Sequence, residues 1–298
     1  MTAKIEASSG GMPQNTILMY GLIASLVCIY VAYILNMLTG TIWFSFFSGI
    51  GAIAALWWGS NTIKHLCSYG LGTGVPSAGM IAFGTGAMAM VFATKFGVAT
   101  PIVAVIVAGI IGAVIGFIAN SIVNMNIPVM VKSLCELAIV GALTMLGFAA
   151  MCVGSFEFNA LVGLVVDPEP VISVIPGVGV IIAAGGPVPV FGASVIGGSV
   201  LAVIFILGAM ALQHPFNACL GPNESQDRTL MLAAEVGFLT MIGVAVMSYA
   251  FIDGISATIG LIIALIGWYY TFKKYLELSK RDAFMWLDAK PIREVGGK

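Results

Sequence analysis

Charge is what this chain has least of. Lys, Arg, Asp and Glu together make up 8% of its 298 residues, against about 25% in a soluble domain. So small a supply cannot cover a water-facing surface, and a soluble enzyme is excluded. Nor is there a basic excess: 12 Lys and Arg stand against 13 Asp and Glu. Nothing is left over to attract a phosphate backbone, so nucleic-acid binding is excluded as well. Cysteine is sparse and scattered. Cys28, Cys67, Cys135, Cys152 and Cys219 contain no C-x-x-C pair, and no histidine cluster occurs at metal spacing. Neither a disulfide framework nor a zinc site is expected. No small-residue cleavage site stands out near the first apolar run, which is too long for a signal-peptide core and is expected to stay as a membrane anchor.

What the chain does have is apolar length. Hydrophobic residues make up 60% of it, its mean hydropathy is +1.07, and 37 residues are glycine. Apolar stretches run unbroken for about 20 residues, the length of a membrane-crossing helix, where a β-barrel would alternate over about 10. The expected fold is therefore all-α, a single transmembrane domain over residues 1–298 with eight spans. These are Ile17–Leu38, Ile42–Gly59, Ser77–Thr94, Gly97–Ala119, Ser133–Val153, Val188–Leu212, Leu230–Phe251 and Ile255–Phe272. Residues 1–16 form a polar N-terminus and 273–298 a charged tail. Residues 154–187, apolar but cut by Pro168, Pro170, Pro176 and Pro187, read as an outer loop containing a re-entrant segment.

Orientation follows from the positive-inside rule. With eight spans and the N-terminus in the cytoplasm, Lys4, Lys64, Lys132, Arg228 and the seven cations of the tail lie inside, while Lys95 lies outside. That is 11 against 1, so both termini are expected in the cytoplasm. A ninth span over 154–187 would turn the tail outward. A weak repeat occurs at a shift of 113 residues, where Gly72, Val75, Pro76, Gly79 and Gly84 fall on Gly185, Val188, Pro189, Gly192 and Gly197. These sets open the third and sixth spans, which run in opposite directions, as in transporters built from inverted repeats. Gly and Pro are also common at membrane helix starts, and that alternative stays open.

Few residues could carry chemistry. Tyr69-Gly-Leu-Gly-Thr-Gly-Val-Pro-Ser77 lacks the strand and the spacing of a nucleotide loop; Gly72, Gly74 and Pro76 read as the turn that starts a helix. Glu136 and Glu235 are the two charges within spans, and a carboxylate there points to function by default. Both are candidates for a sodium path. Lys132 lies one turn before Glu136 and can pair with it, whereas Glu235 has no cation one turn away on its own helix, which makes it the better candidate. Asn120, Asn124 and Asn126 could add oxygen ligands or serve as plain turn residues. The inner segment Gln213-His-Pro-Phe-Asn-Ala-Cys-Leu-Gly-Pro-Asn-Glu224 reads as a docking or gating loop carrying His214, Asn217 and Cys219. One His and one Cys without an orienting third group do not make a nucleophilic site. The stripes Gly51-x3-Ala55-x3-Gly59, Gly112-x3-Gly116 and Ser256-x3-Gly260-x3-Ala264 suit close helix contact, within the chain or with other subunits. The tail suits an amphipathic segment on the inner membrane surface or on a partner.

The two motifs, taken together in a membrane chain of this length, resemble the C subunit of tetrahydromethanopterin S-methyltransferase, over nearly the whole chain. That resemblance implies a multisubunit complex of methanogenic archaea. The complex passes a methyl group from methyl-tetrahydromethanopterin, or its sarcinapterin form, through a corrinoid to coenzyme M and exports sodium ions. It implies the D and E subunits as membrane partners, with the corrinoid and the methyl-transfer centre in other subunits, and neither a cofactor nor a catalytic residue in this chain. It assigns no site residue. From the residues alone, a stand-alone secondary transporter and a pure membrane scaffold remain as rival readings.

Overall fold

The computed structural model describes residues 11–69, 74–157, 161, 189–219 and 225–288. These residues are all-helical, in eight α-helices: α1 (Gln14–Thr39), α2 (Phe46–Cys67), α3 (Gly74–Ala93), α4 (Thr100–Phe117), α5 (Met130–Val153), α6 (Pro189–Cys219), α7 (Gln226–Ser248) and α8 (Gly254–Asp288). Five stretches among them are long and apolar enough to cross a membrane, which makes this a multi-pass membrane protein. One of the five, Val75–Ile122, is 48 residues long; at about 1.5 Å per residue it exceeds twice a membrane core of roughly 30 Å. It is broken by a 3-10 turn over Thr94–Ala99, where Gly97 takes φ +55°, and Pro101 then starts α4 without needing its missing N–H.

Helix ends run past the expected spans, most clearly in α2 and α8. The second run stops at Gly59 on hydropathy, yet α2 continues through Ser60, Asn61, Thr62 and Lys64 to Cys67, all of them buried. These polar residues lower the hydropathy of α2 but are paired by neighbouring helices. The charged tail also differs from a surface-lying segment: Lys273–Asp288 continues α8. Its 35 residues reach about 52 Å, well beyond the membrane core. Exposed Tyr269 and Tyr270 sit just before Lys273 and Lys274, the order of an aromatic belt followed by snorkelling cations. The expected outer loop lies mostly outside the described residues, as does Gly72.

Turns follow local chemistry. Gly40 and Gly154 end α1 and α5 in the left-handed region, where a side chain is disfavoured. After a π-turn at Ile118–Ile122, Asn124 and Asn126 take φ of +61° and +52°, and Asn120 Oδ1 accepts the Ile127 N–H at 2.8 Å. The three asparagines thus serve as turn residues. Asp253 caps α8, accepting the Ser256 N–H at 2.8 Å and its hydroxyl at 2.6 Å. The hydroxyl bond, above all, holds this carboxyl below its ordinary range.

The core sits on α5, which is buried along nearly its whole length and touches α1, α2, α3, α4, α6 and α7. Small residues make that possible. A Cβ added at Gly86 of α3 would lie 1.8 Å from the Ala138 carbonyl oxygen, and one at Gly141 of α5 would lie 2.0 Å from that of Phe83. The two backbones are in direct contact at this crossing. Gly112 of α4 meets Leu134 and Cys135 in the same way. All three small-residue stripes face inward: Gly51 meets Ser25, Gly59 meets Val140, and Gly260 meets Met151. They therefore serve contacts within the chain.

The crossing makes a definite prediction. Gly141→Leu must push α3 off α5, since the obstacle is backbone, and overpacking of this kind costs upwards of about 1–3 kcal/mol. Purified Gly141→Leu protein is expected to lose most of its monodisperse yield and to melt lower. Gly254→Ala, with nothing within 4 Å of the added carbon, should match the parent. Equal melting of the two variants would disprove the contact.

Candidate functional site

Three polar groups occur within the apolar body. Glu136 on α5, 4% exposed, is the most completely surrounded. Its Oε2 accepts three bonds: from Thr62 Oγ1 at 2.7 Å, Gln14 Nε2 at 2.8 Å and Trp58 Nε1 at 3.2 Å. Lys132, one turn earlier on α5, brings its Nζ to 3.8 Å from Oε1 and also bonds Asn15. The expected pairing of Lys132 with Glu136 is therefore present, but α1 and α2 contribute more of the compensation. An oxygen already receiving three N–H or O–H donors has no lone pair left to offer a cation. Three donors from two other helices thus converge on one carboxylate oxygen.

The network extends to the end of α2 and the start of α7. Asn61 donates to the Gln14 side-chain oxygen and accepts from Gln226 Nε2 at 3.0 Å, while Lys64 bonds Thr229 Oγ1 at 3.2 Å. One face of α2 thus meets Glu136 and its other face meets the start of α7. A second polar group lies at the opposite ends of these helices. Asn36 of α1 donates to the Gly154 carbonyl at 3.0 Å and accepts the Phe44 N–H at 3.0 Å, and Tyr33 donates to Glu157 Oε1 at 2.6 Å.

Glu235 differs in kind. It lies on α7 about 10 Å deeper than Arg228, counted along the helix, and is half-buried. Trp268 Nε1 of α8 donates to its Oε1 at 2.8 Å, and this indole stacks on Phe272 at 5.5 Å. Among the described residues that is the one hydrogen bond Glu235 makes, and none of their ion pairs includes it. Arg228 turns the other way, with Nη1 3.6 Å from Asp282 Oδ2 near the end of α8. Ser225 Oγ bonds the same carboxylate oxygen at 2.9 Å.

The two span carboxylates are thus not brought together: Glu136 belongs to α1, α2 and α5, Glu235 to α7 and α8. Gly74 opens α3 and Pro76 lies in its first turn. The expected loop over Gln213–Glu224 is helical in its described part, and its remainder lies outside the described residues. α6 continues through Pro215 to Cys219, so His214, Asn217 and Cys219 sit on its last turns. His214 is exposed and borders an apolar hollow of about 390 Å³ that Met80 and Phe205 also line. Among the described residues, no three His, Cys, Asp or Glu side chains are grouped to hold a metal ion. Sequence reasoning passed over Gln14, Trp58, Thr62 and Trp268. Asn36 and Asn61 were the available signal, being amides in or next to apolar runs.

The Glu136 network is testable by stability. Thr62→Val keeps the shape of the side chain but removes the 2.7 Å donor, and a buried hydrogen bond to a charged group contributes about 1.5–3 kcal/mol. The purified variant should melt several degrees below the parent while keeping its helical content; an unchanged midpoint would show that the bond contributes nothing.

A family model for the C subunit of tetrahydromethanopterin S-methyltransferase matches residues 1–175 and 169–291. Three relatives carry that same name. The one from Methanosarcina mazei is 39% identical over 278 residues, covering 93% of this chain and 91% of its own length. That from Methanocaldococcus jannaschii is 36% identical, covering 91% and 90%. That from Methanothermobacter thermautotrophicus is 33% identical, covering 93% and 91%. The chain belongs to the family of tetrahydromethanopterin S-methyltransferase C subunits.

Proposed function

We propose that this chain works in the membrane half of a methyl-tetrahydromethanopterin:coenzyme M methyltransferase, where methyl transfer drives sodium export in methanogenesis. It sits in the cell membrane with both termini in the cytoplasm, beside lipids and the D and E subunits, and carries no part of the methyl-transfer centre. The corrinoid belongs to a partner subunit. The hollow beside His214 is walled by Met80, Phe205, Ile206, Ala209 and Met210, and such a wall does not suit the amide rim of a corrinoid.

The observation that carries the sodium role is the contrast between the two carboxylates. Glu136 has three donors on Oε2 and a cation 3.8 Å from Oε1; Glu235 has one indole N–H on Oε1 and no ion pair among the described residues. A hard cation such as sodium takes oxygen ligands, and a half-paired carboxylate in a span is where a passing cation is stabilised. Trp268 fixes one oxygen, so the other keeps a constant direction. A stand-alone transporter is the second reading. It is favoured by the antiparallel course of α3 and α6, since Met80 and His214 share one hollow while Val91 and Leu201 share another.

Two experiments follow. In the assembled complex, Glu235→Gln should raise the sodium concentration needed for half-maximal methyl transfer at least tenfold, with every partner still present. Assembly with unaltered sodium dependence and unaltered sodium uptake would make Glu235 a structural carboxylate and favour the scaffold reading. For topology, Lys280→Cys, at an exposed position on α8, should resist a membrane-impermeant thiol reagent in intact cells and react after lysis. Labelling from outside would invert the orientation.

A further inference from the structure

We propose that the side of the α7–α8 hairpin around Glu235 is a subunit interface, where a transmembrane helix of another member of the complex turns neutral, oxygen-bearing side chains toward the carboxylate. The proposal deepens the sodium reading of Glu235 and rests on it. Glu235 is half-buried and stands at the side of the chain. It shares one stripe of α7 with Leu239 and Val246, which are 50% and 55% exposed. Leu265 of α8, one turn from Trp268 and 44% exposed, borders the same side. Trp268, whose indole holds the carboxylate, lies about 7 Å along α8 before Lys273, the first cation of that helix. A carboxylate tethered at that depth faces hydrocarbon unless something polar covers it.

Its own chain brings little else to it. One turn to either side on α7 stand Met231, Leu232, Phe238 and Leu239; beside Trp268 on α8 stand Ala264, Leu265 and Phe272. Thr271 is the hydroxyl nearest in sequence to Trp268, and it is buried and turned back on its own helix, donating to the Gly267 and Trp268 carbonyls at 2.8 and 3.1 Å. A hard cation takes several oxygen ligands, and these two turns offer it the carboxylate alone. The site is incomplete within this chain.

Charge selects what completes it. A hydrocarbon tail brings neither a donor nor a ligand. A second copy related by a two-fold axis would set another Glu235 against the first, and two carboxylates in one apolar site repel each other. Another face of a second copy serves no better: the exposed stripes of α1 and α4, at Ile23 and Val27 and at Ile106 and Ile110, carry no side-chain oxygen. A Lys or Arg would form a fixed ion pair with Glu235 and close the site to sodium. A helix of a different subunit bearing Ser, Thr, Asn or Gln at this level supplies oxygen and leaves the negative charge for the cation.

The experiment uses the whole purified complex. A photoreactive benzoylphenylalanine replacing Leu239, and in a second variant Leu265, should cross-link to the same segment of one other subunit, located by peptide mass. That segment should carry Ser, Thr, Asn or Gln within one turn of the cross-linked residue. Leu239→Trp should lower recovery of that subunit at least fivefold, whereas Leu239→Ile should keep it. Should the Leu239 variants fail to fold, the cross-link from position 265 decides the matter. Cross-linking from these positions to lipid alone, or to a second copy of this chain, would overturn the proposal, and so would a Lys or Arg on the cross-linked turn. The sodium dependence of Glu235→Gln is read separately. Lipid cross-links beside a raised sodium requirement sink the interface alone; subunit cross-links beside an unaltered requirement keep the interface and remove sodium from it.

Discussion

The most buried helix of this protein carries a charge, and much of the fold is arranged around that fact. An unpaired carboxylate in a low-dielectric interior costs several kcal/mol, so α5 cannot be central unless Glu136 is compensated where it stands. Compensation comes from three directions: Lys132 on its own helix, Trp58 and Thr62 on α2, and Gln14 at the start of α1. Each donor fixes a register. Gln14 lies 122 residues from Glu136 in sequence, so the bond joins the start of the chain to the middle of the bundle. It also accounts for a helix that starts ahead of its apolar run, and for one that continues past its own.

Close packing and polar pairing share the work along the same helix. Near its N-terminal end α5 is held by the Glu136 donors; further along, the crossing at Gly86 and Gly141 brings backbones together without side chains between them. Lipid gives no hydrophobic advantage to helix association, so contact area and hydrogen bonds must supply it. The same network also shows why α2 tolerates a cluster of polar residues near its end. Thr62 turns toward α5, while Asn61 and Lys64 turn toward α7, so each is spent on a different neighbour.

Much of this was legible in the sequence, and the limits are physical. Apolar runs located the helices, and Asn124 and Asn126 marked a real break, because the left-handed backbone that asparagine tolerates is a local property; Gly97, expected as the first residue of a span, lies in the turn before it. Helix ends were misread wherever a polar residue finds its partner far away in sequence. Ser60 to Lys64 looked like an exit from the membrane only because Gln14, Glu136 and Thr229 were not visible as partners. The segment Gln213–Cys219 looked like a loop because it holds Pro215 and several polar residues, yet α6 passes through them. The pairing of Glu136 with Lys132 was readable because it is local; that of Glu235 with Trp268 was not, since it depends on the α7–α8 hairpin.

That hairpin gives the two carboxylates their different characters. At the α7–α8 contact, Phe238 fills the space left by Gly267, so that a Cβ there would lie 2.3 Å from its ring. Beside it, Trp268 reaches Glu235, and farther along Arg228 and Ser225 hold Asp282. Arg228, the nearest cation before Glu235 on α7, is thus engaged at the far end of α8 and does not neutralise it. Had Arg228 lain one turn closer, at an i, i+4 spacing, Glu235 would have had a cation on its own helix, as Glu136 has in Lys132. The seven-residue separation, with the cation drawn outward by Asp282, keeps a negative charge in the span that the helix itself does not cancel. In a chain that invests so much in silencing its other span carboxylate, that is the physical reason to look for a cation at this one.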